Sequence, residues 1–511
     1  MQSCVIIGSG LGGLSCGCIL ALNGYDVTVL EQDIQAGGCL QCFRRGDAVF
    51  ETGMHYIGSA LPGQTLHTLW NYLGIADQVK LSQLDPVAFD RVSLHGEHYA
   101  FANGRQGFVE SLSQHFPKSR DELTRYYDLY KSVASSSPLH SLNDKVDFTL
   151  FSEYQRRASS DVIDSLIADP LLREVLVSLL PLYAGEKGRT PFTIHSLITD
   201  FYDQSAFRVV GGSDVVAKAL IKRITDMGGK VVTRQKVVKI ECNDQRATAV
   251  VTSTSRFPAD IVVSSLHPAA TMQLTDSSLI RPVYRKRMET LRNTTSVFTV
   301  YLKFKRGAVR YMNSNLYIYR SKSVWGCENY DEQSWPKMLL YMHSCHATGA
   351  SDGLCSAANV LSAPSYAETG QIITYMSFGE VAQWEGTRPM HRGTDYDDFK
   401  KRKAETLIRA LEEEVPGISS CIETYYTSTP LTYLDYTGTP QGSIYGVARD
   451  ANDFSAGDIS PRTRIPNLFL TGQSVTCHGM LGVLAGTLMT CSEVITRQEL
   501  FRQLGQANSA L

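Results

Sequence analysis

Apolar runs separated by glycine mark the first thirty residues of the chain. A strand-like run from Cys4 to Ile7 is followed by a glycine-rich turn and then by an apolar, helix-like segment that ends at Leu22. A second run, DVTVLE, ends at Glu31. This pattern predicts a strand, a turn, a helix and a second strand, which together form the opening of an α/β unit.

Two later regions of the chain differ in the secondary structure that their patterns predict. Residues 209–268 predict a helix followed by four strands, the last of which ends at His267 and Pro268. Residues 270–460 are mostly β-type and rich in Tyr and Thr, and one charged helix at 395–417 interrupts them. We interpret its charge run as a solvated helix face.

Residues 60–200 form a helical region inserted between these parts. Helical patterns occur at 121–136 and 169–185. The second pattern is apolar nearly all round, so it predicts either a buried helix of a substrate domain or an apolar entrance lying on a membrane.

Composition narrows the class of protein. The chain has 511 residues, 49 Lys plus Arg and 51 Asp plus Glu, so two joined domains are expected and nucleic-acid binding is not. The sequence shows no signal peptide and no run of 18 apolar residues, and the 12 cysteines are expected to be reduced thiols. We expect a cytoplasmic protein, either free or peripheral to a membrane.

The glycine turn has the spacing of a dinucleotide fingerprint. Gly8 permits the tight turn, Gly10 lets a pyrophosphate approach the backbone, and Gly13 lets the helix pack on the strand. Glu31, 18 residues after Gly13, is placed to accept hydrogen bonds from ribose hydroxyls. These residues alone leave NAD and FAD as alternatives.

The residues after Glu31 favour FAD. A double glycine, Gly37 and Gly38, follows, and VFETGMHYIG adds a strand and a turn that carries His55 and Tyr56. NAD-dependent dehydrogenases have no need of such a loop.

The chain resembles the phytoene desaturase, carotenoid isomerase and retinol saturase family of FAD-dependent oxidoreductases, and within it the retinol saturase branch. The residues that carry the likeness are GSGLGGLSCGCILALNGYDVTVLEQDIQAGGC, FETGMHYIG, VVGGSDVVAKAL, STPLTYLDYTGTPQGSIYG and NLFLTGQSVTCHGMLGVLAGTL. The branch is indicated by Cys39 after the double glycine, where many relatives have Arg, and by Gln473, where many have Asp.

The resemblance implies an α/β fold with a Rossmann-like FAD-binding domain of the glutathione reductase and amine oxidase-like superfamily. A mixed β-sheet and helices inserted into it form the substrate domain. We assign residues 1–75, 205–270 and 460–511 to the discontinuous FAD-binding domain, and residues 76–204 and 271–459 to the substrate-binding domain.

The resemblance also assigns cofactor contacts. By this resemblance, Gly37 and Gly38 line the flavin's phosphates and isoalloxazine, and the backbone of Val237 forms a hydrogen bond with adenine. Gly472 and Gln473 end a strand before a helix that starts at Gly479, and the free amides of that helix point toward the flavin. The implied set of residues around that turn and helix start is Gly472, Gln473, Leu481 and Gly482.

Cys39 and Cys42 form a C-x-x-C in this cofactor loop, which argues against a redox dithiol. Zinc is not expected either, because no second ligand pair completes a site. Without the Arg of other relatives, phosphate charge is left to the helix dipole and to Arg44 or Arg45.

The sequence holds one dinucleotide fingerprint and no second one for a resident NAD(P)H. Electrons are therefore expected from the substrate, from NAD(P)H or a quinone as a diffusible donor, or from an electron-transfer partner. His55 is the candidate catalytic acid, with Tyr56 and His478 as further candidates and a structural hydrogen bond as the alternative role for a loop histidine. Tyr433 and Tyr436 are expected to line a cavity for a hydrophobic substrate.

Three functions follow from this pattern. The first is an oxidoreductase acting on carbon–carbon double bonds of a polyene or isoprenoid-like molecule. The others are an amine-oxidase-like flavin oxidase and a non-catalytic prenyl-lipid carrier of the GDP-dissociation inhibitor type.

Overall fold

The computed structural model of the chain describes residues 1–346, 359–453 and 457–509. Its strands, in chain order, are β1 (Ser3–Ile7), β2 (Asp26–Leu30), β3 (Cys42–Arg45), β4 (Ala48–Glu51), β5 (Ile57–Gly58), β6 (Leu81–Gln83), β7 (Asp90–Leu94), β8 (Glu97–Phe101), β9 (Ala206–Val209), β10 (Lys230–Val232), β11 (Val237–Cys242), β12 (Ala247–Thr252), β13 (Arg256–Pro258), β14 (Ile261–Ser264), β15 (Ser296–Phe304), β16 (Asn315–Tyr319), β17 (Met338–His343), β18 (Val360–Leu361), β19 (Thr369–Met376), β20 (Ile422–Ser428) and β21 (Leu468–Leu470).

The α-helices, in the same order, are α1 (Leu11–Leu22), α2 (Thr65–Leu73), α3 (Gly104–Ser113), α4 (Arg120–Ser135), α5 (Pro138–Ser141), α6 (Thr149–Tyr154), α7 (Ser159–Leu166), α8 (Pro170–Leu176), α9 (Phe192–Gln204), α10 (Asp214–Asp226), α11 (Pro268–Gln273), α12 (Pro282–Glu289), α13 (Thr394–Glu414), α14 (Ile418–Cys421), α15 (Pro430–Thr437), α16 (Gly479–Cys491) and α17 (Arg497–Ser509).

A parallel sheet organises the first part of the fold. Its strand order is β10-β2-β1-β14-β21, and every neighbouring pair is parallel. Counted along the chain this is the order 3-2-1-4-5, which is that of a Rossmann sheet. Helix α1 packs against α10 and α16, and the strands bury Ile6, Val29 and Val263.

A larger mixed sheet organises the second part, with the order β20-β15-β19-β17-β16-β7-β8. Only the β16–β7 pair in it is parallel. One face packs on the helices between residues 104 and 204, and the other packs on α13. The predicted α/β fold, with a Rossmann-like part and an inserted mixed sheet plus helices, is confirmed.

The strands of the parallel sheet lie in three separate stretches, at residues 3–30, 230–264 and 468–470. These stretches fall within the three segments assigned to the FAD-binding domain. The domain boundaries at 75, 205, 270 and 460 stay a prediction.

One predicted helix is shorter than its apolar pattern. The pattern at 169–185 forms α8 only as far as Leu176, and a 3₁₀ turn at Leu180–Leu182 follows it. Pro181 is the physical reason, because its ring in a continuous helix would clash with the carbonyl of Val177. The segment is buried in the helical core, as the first of the two interpretations predicts.

The charged helix forms as predicted. Helix α13 buries a stripe that includes Phe399, Leu407 and Leu411, and it exposes most of its charged residues. Across the described ranges we find no helix with the length and apolarity that crossing a bilayer requires.

Candidate functional site

The glycine turn between β1 and α1 needs each glycine for a different reason. Gly8 has φ +91°, a backbone conformation that other residues rarely adopt. A Cβ on Gly13 would lie 2.0 Å from the Gly8 carbonyl oxygen, so α1 can pack on β1 only because residue 13 has no side chain. A Cβ on Gly10 would have no atom within 4 Å, so the backbone there faces open space.

The N-terminus of α1 is free to bind an anion. Gly10 is the N-cap, no side chain caps the helix, and the first turn contains no acidic residue. The unpaired N–H groups and the positive end of the helix dipole therefore favour a phosphate. A Cβ on Gly12 would lie 2.8 Å from the Cα of Gly472, so this turn directly contacts the C-terminal glycine turn.

A cavity of about 320 Å³ begins at these turns and extends to the mixed sheet. Its dinucleotide lobe is lined by the glycine turn, the ends of β2, β14 and β21, residues 38–39, Gln235 and Val237. Its sheet lobe is lined by side chains of β15, β17, β19 and α15 and by the loop at 53–56. One cavity therefore joins the predicted nucleotide site to the predicted substrate sheet.

Glu31 lies on the wall of the dinucleotide lobe, directly after β2. Its Oε2 accepts hydrogen bonds from the Ser9 N–H at 3.1 Å and from the Ser9 hydroxyl, and its Oε1 accepts from the Asp33 N–H at 2.9 Å. Because each carboxylate oxygen has two lone pairs, Oε1 keeps acceptor capacity for a hydroxyl group.

Val237 also lines this lobe, at the start of β11. The neighbouring Gln235 donates its N–H to the Glu31 carbonyl at 2.7 Å, which holds the two walls together. The position is the one that the resemblance assigns to adenine.

The double glycine folds back onto the first turn. Gly37 has φ +129° and donates its N–H to the Ser9 hydroxyl at 3.1 Å. A Cβ on Gly38 would lie 3.0 Å from the Cα of Gly10. Gly38 lines the cavity, whereas Gly13 and Gly37 shape the turns behind it.

The two cysteines of the C-x-x-C are separate thiols. Cys39 lines the cavity, and Cys42 lies 3.4 Å from the Ser213 hydroxyl. Burial raises the pKa of each thiol to about 11, which leaves them unreactive at neutral pH. All described cysteines are free, and no described group of His, Cys, Asp or Glu could hold a metal ion.

Arg44 and Arg45 do not take the place of the phosphate-binding arginine. Both lie on the exposed β3–β4 hairpin and neither lines the cavity. Arg45 instead lies over the rings of Phe43 and Tyr426. That prediction is wrong, because the β3–β4 hairpin places both side chains at the protein surface, outside the cavity wall.

The C-terminal turn meets the cavity through Gly472 and Gln473, and α16 meets it through Gly479 and Met480. Helix α16 begins without a side-chain cap, so its first amides are free. The predicted residues Leu481 and Gly482 line a second cavity instead of the first one.

His55 lines the cavity beside the mixed sheet. Its Nδ1 lies 2.7 Å from Gln371 Nε2 and 4.0 Å from Glu51 Oε2. Burial, with the charge of Arg208 as a lesser cause, lowers the pKa of His55 to about 3. The imidazole is therefore neutral at physiological pH.

Tyr56 connects the cavity to a buried network. Its hydroxyl donates to Asp90 Oδ2 at 2.9 Å and lies 2.7 Å from the Tyr317 hydroxyl. Asn315 Nδ2 donates to the other Asp90 oxygen at 2.7 Å. Burial raises the pKa of Asp90 to about 7, so this carboxyl changes protonation near neutral pH.

His478 is placed differently from His55. It is the N-cap residue of α16, its ring stacks on Tyr445 at 4.1 Å, and its Nε2 lies 3.1 Å from the Leu182 carbonyl oxygen. Burial lowers its pKa to about 4. It lines the second cavity and not the one that holds the glycine turns.

The sheet lobe is aromatic and apolar. Tyr433 and Tyr436 line it as predicted, together with residues that the sequence did not single out. The additional wall residues include Tyr202, Val297, Met342, Ile373, Tyr375 and Tyr445. The wall of this lobe contains no Asp or Glu among the described residues.

The residues that the sequence missed are far from the motifs along the chain. Gln371 reaches His55 across 316 positions, and Asp90 is 34 residues from Tyr56. Gln371 lies in the region predicted to be mostly β, whereas Asp90 lies in residues 60–200, which were predicted to be helical. No local pattern brings either residue to the loop that carries His55 and Tyr56.

The cavity fits FAD by its chemistry. The N-terminus of α1 has no side-chain cap, and the space beside Gly10 is open, so a pyrophosphate can bind there. Glu31 keeps one free acceptor position, which suits a ribose hydroxyl. The free amides at the start of α16 suit the reduced flavin, which carries negative charge.

Comparisons with known proteins agree with this geometry. A family model described as Flavin containing amine oxidoreductase matches residues 11–494. The chain is 27% identical over 545 residues to All-trans-retinol 13,14-reductase of Rattus norvegicus, covering 98% of this chain and 86% of that protein. It is 24% identical over 509 residues to Prolycopene isomerase 2, chloroplastic, of an Oncidium hybrid cultivar, covering 94% and 81%.

A solved structure shows the same fold. The structure of an oxidoreductase from Methanosarcina mazei superimposes with a TM-score of 0.64 at 17% identity, covering 96% of this chain and 100% of that one.

Proposed function

The chain belongs to the family of flavin containing amine oxidoreductases, and we propose that it is an FAD-dependent oxidoreductase acting on carbon–carbon double bonds of a hydrophobic polyene or isoprenoid-like substrate. The observation that carries the proposal is the likeness to All-trans-retinol 13,14-reductase over 98% of the chain. This likeness includes the sheet lobe as well as the dinucleotide lobe.

The cofactor would be held by the residues of the dinucleotide lobe. Gly8, Gly10 and Gly13 shape the pyrophosphate cradle, and Glu31 accepts from the ribose. Val237 offers backbone to the adenine. A second set of residues would also contact the cofactor, namely Gly37, Gly38, Gly472 and Gln473. Leu481 and Gly482, in the first turn of α16, lie behind them. When bound, FAD supplies hydride chemistry, which no side chain can provide.

The wall of the sheet lobe supports a neutral, conjugated substrate. Its tyrosine rings and aliphatic side chains offer apolar surface along β15, β17 and β19. An amine substrate is protonated at neutral pH, and proteins bind such a cation either with a carboxylate or against the faces of aromatic rings. The sheet lobe contains no Asp or Glu among its described wall residues but does contain tyrosine rings, so the likeness to All-trans-retinol 13,14-reductase, and not the wall, favours the polyene over the amine.

His55 lines the cavity, and we propose that it lies at the reacting face in a role other than that of an acid. A histidine with a pKa of about 3 is too rarely protonated to act as a cationic acid. We propose that neutral His55, oriented by Gln371, donates a hydrogen bond inside the cavity. Protons would instead come from the Tyr56 and Asp90 pair, whose carboxyl carries a proton near neutral pH.

The electron donor is part of the proposal as well. The chain has one glycine fingerprint for a dinucleotide, so NAD(P)H would act as a diffusible donor, with an electron-transfer partner as the alternative. A hydrophobic substrate would reach the protein from a membrane, in which it dissolves. We therefore propose that the protein is cytoplasmic and makes peripheral contact with a membrane.

Product analysis tests the proposed reaction. FAD-loaded protein is incubated anaerobically with a reductant and all-trans-retinol, and the extract is examined by mass spectrometry. The proposal expects a product heavier than the polyene by the two added hydrogens. Conversion of a primary amine to an aldehyde in air, with no change in any polyene tested, would favour the amine oxidase. Protein that binds no FAD would favour the carrier.

A further inference from the structure

A second cavity, of about 650 Å³, lies among α5, α6, α9, α16 and α17. Leu182, Tyr202, Gly479 and Met480 line both this cavity and the first one. Its wall is largely apolar and includes the stacked rings of Phe148 and Phe151. Phe148 is 43% exposed, so apolar surface continues outward from the cavity.

The guanidinium of Arg449 lies in this wall with most of its hydrogen-bond donors unpaired among the described residues. Its Nη2 donates to the Ser474 carbonyl at 3.1 Å, and it makes no other side-chain hydrogen bond or ion pair with the described residues. A guanidinium carries five N–H donors, and one carbonyl satisfies only one of them. A partly buried cation in an apolar wall is costly unless an acceptor compensates its lost hydration.

The carboxylates of the same wall compensate Arg449 only in part. Asp450 is already paired with Arg189 at 2.8 Å and with Arg292 at 3.8 Å. Asp144 and Asp458 are exposed, and neither forms an ion pair with Arg449. Asp458 attracts the guanidinium electrostatically, but burial outweighs that attraction and lowers the pKa of Arg449.

The remaining ionisable groups of the wall are also engaged or exposed. His140 is held on Asp200 at 2.5 Å, and His478 is held on the Leu182 carbonyl. Arg497 is exposed and lies over the Phe501 ring. Arg449 is therefore the cation that the cavity offers to a ligand.

We propose that the second cavity binds an amphipathic carboxylate, with an apolar chain along the aromatic wall and its carboxylate on Arg449. The planar guanidinium matches a carboxylate in two parallel hydrogen bonds. A single negative charge balances a single guanidinium, whereas a phosphate monoester would bring a second charge close to Asp450. The site does not depend on the proposed reaction, because binding requires no turnover.

The test uses a fluorescent polyene acid and the FAD-loaded protein. Binding of cis-parinaric acid and of its methyl ester is measured by the rise in their fluorescence. The acid is expected to bind about tenfold tighter than the ester, or more, because the ester cannot form the charged pair. Equal binding of acid and ester by the unmodified protein would overturn the proposal without any variant.

Arg449→Met should remove the preference for the acid, while the flavin absorbance of the protein stays unchanged. Arg497→Met is the matched control and should keep the preference, since that side chain is exposed. An acid preference that survives in Arg449→Met would place the carboxylate elsewhere and overturn the proposal.

A second variant locates the chain independently of Arg449. Leu197 lines the second cavity and not the first, so Leu197→Trp should weaken binding of acid and ester alike by filling the apolar space. Unchanged binding in this variant, with flavin retained, would also overturn the proposal. Loss of the reaction on retinol with this binding intact would leave the second site standing, so the two failures are distinguishable.

Discussion

Single glycines separate cofactor binding from folding in this protein. Gly10 has φ −63° and open space where a side chain would be, so Gly10→Ala should leave the fold intact. Its methyl group would occupy the phosphate cradle and should weaken FAD binding by about tenfold or more, equivalent to ~1.4 kcal/mol or more. Titration of the apoprotein with FAD measures the affinity, and thermal unfolding of the same apoprotein measures stability.

Gly13→Ala is the matched comparison. Its Cβ would lie 2.0 Å from the Gly8 carbonyl oxygen, so the helix must move away from β1. We expect apoprotein stability to fall by roughly 3 kcal/mol or more, as for a severe backbone clash. Wild-type FAD affinity in Gly10→Ala, or wild-type stability in Gly13→Ala, would contradict the roles assigned to these residues.

Glu51 makes stability depend on pH. Burial raises its pKa from 4.5 to about 8, so the folded protein holds this proton more tightly than the unfolded chain. The corresponding stabilisation is complete below pH 4.5 and is lost as the pH rises through 8. Glu51→Gln cannot ionise, so its stability relative to wild type should rise by up to about 5 kcal/mol between these limits.

Chemical unfolding of both proteins across that pH range checks this expectation. The exposed residue Glu289 provides the control, since Glu289→Gln should run parallel to wild type at every pH. If Glu51→Gln also ran parallel, folding would not shift the pKa of Glu51, and the effect assigned here to its burial would be wrong.

The sequence predicts residues well where one local turn defines their role. The spacing of Gly8, Gly10 and Gly13 dictates a turn, and the structure forms it. The protonation of His55 is different, because it depends on Arg208 and on burial under distant strands. No pattern around residue 55 contains that information, so a candidate acid could be named but its pKa could not.

At the scale of elements, capping residues and prolines determine where a helix begins and ends within a longer apolar segment. Asp169 caps α8, because its Oδ1 accepts from the N–H groups of Leu171 at 2.9 Å and Leu172 at 3.2 Å. Asp169→Ala should lower the free energy of unfolding by about 1 kcal/mol. Asp169→Asn keeps a capping oxygen and should lose much less, as measured by chemical unfolding.

A loss of stability in Asp169→Asn as large as that in Asp169→Ala would show that the negative charge, and not the cap geometry, stabilises this turn.

The C-terminal end of the same helix could not be predicted from hydrophobic periodicity. Periodicity alone extends it to residue 185, and the proline at 181 ends it before that.

Helix α16 shows a second limit. Its start was predicted from the sequence, and the structure begins it at Gly479. The direction in which each first-turn residue points was not predictable, because it depends on how α16 packs on α1. With that packing, Gly479 and Met480 line both cavities, whereas Leu481 and Gly482 line only the second.

At the scale of the whole molecule, the site lies between two sheets whose strands come from distant parts of the chain. The parallel sheet was predictable from its glycine turn and its strand spacing. Five strands of the mixed sheet lie in the region predicted to be mostly β, but β7 and β8 come from residues 90–101, in the region predicted to be helical, so that part of the prediction is wrong. The second cavity depends on that assembly and had no signal in the sequence.

The central claim is that this cavity presents FAD to a carbon–carbon double bond. Anaerobic absorption spectroscopy of the FAD-loaded, photoreduced protein mixed with all-trans-retinol tests it most directly. The account predicts that the visible bands of oxidised flavin return as the absorbance of the polyene falls. A flavin that stays reduced with every polyene tested, in a protein whose oxidised flavin bleaches on adding a primary amine, would contradict it.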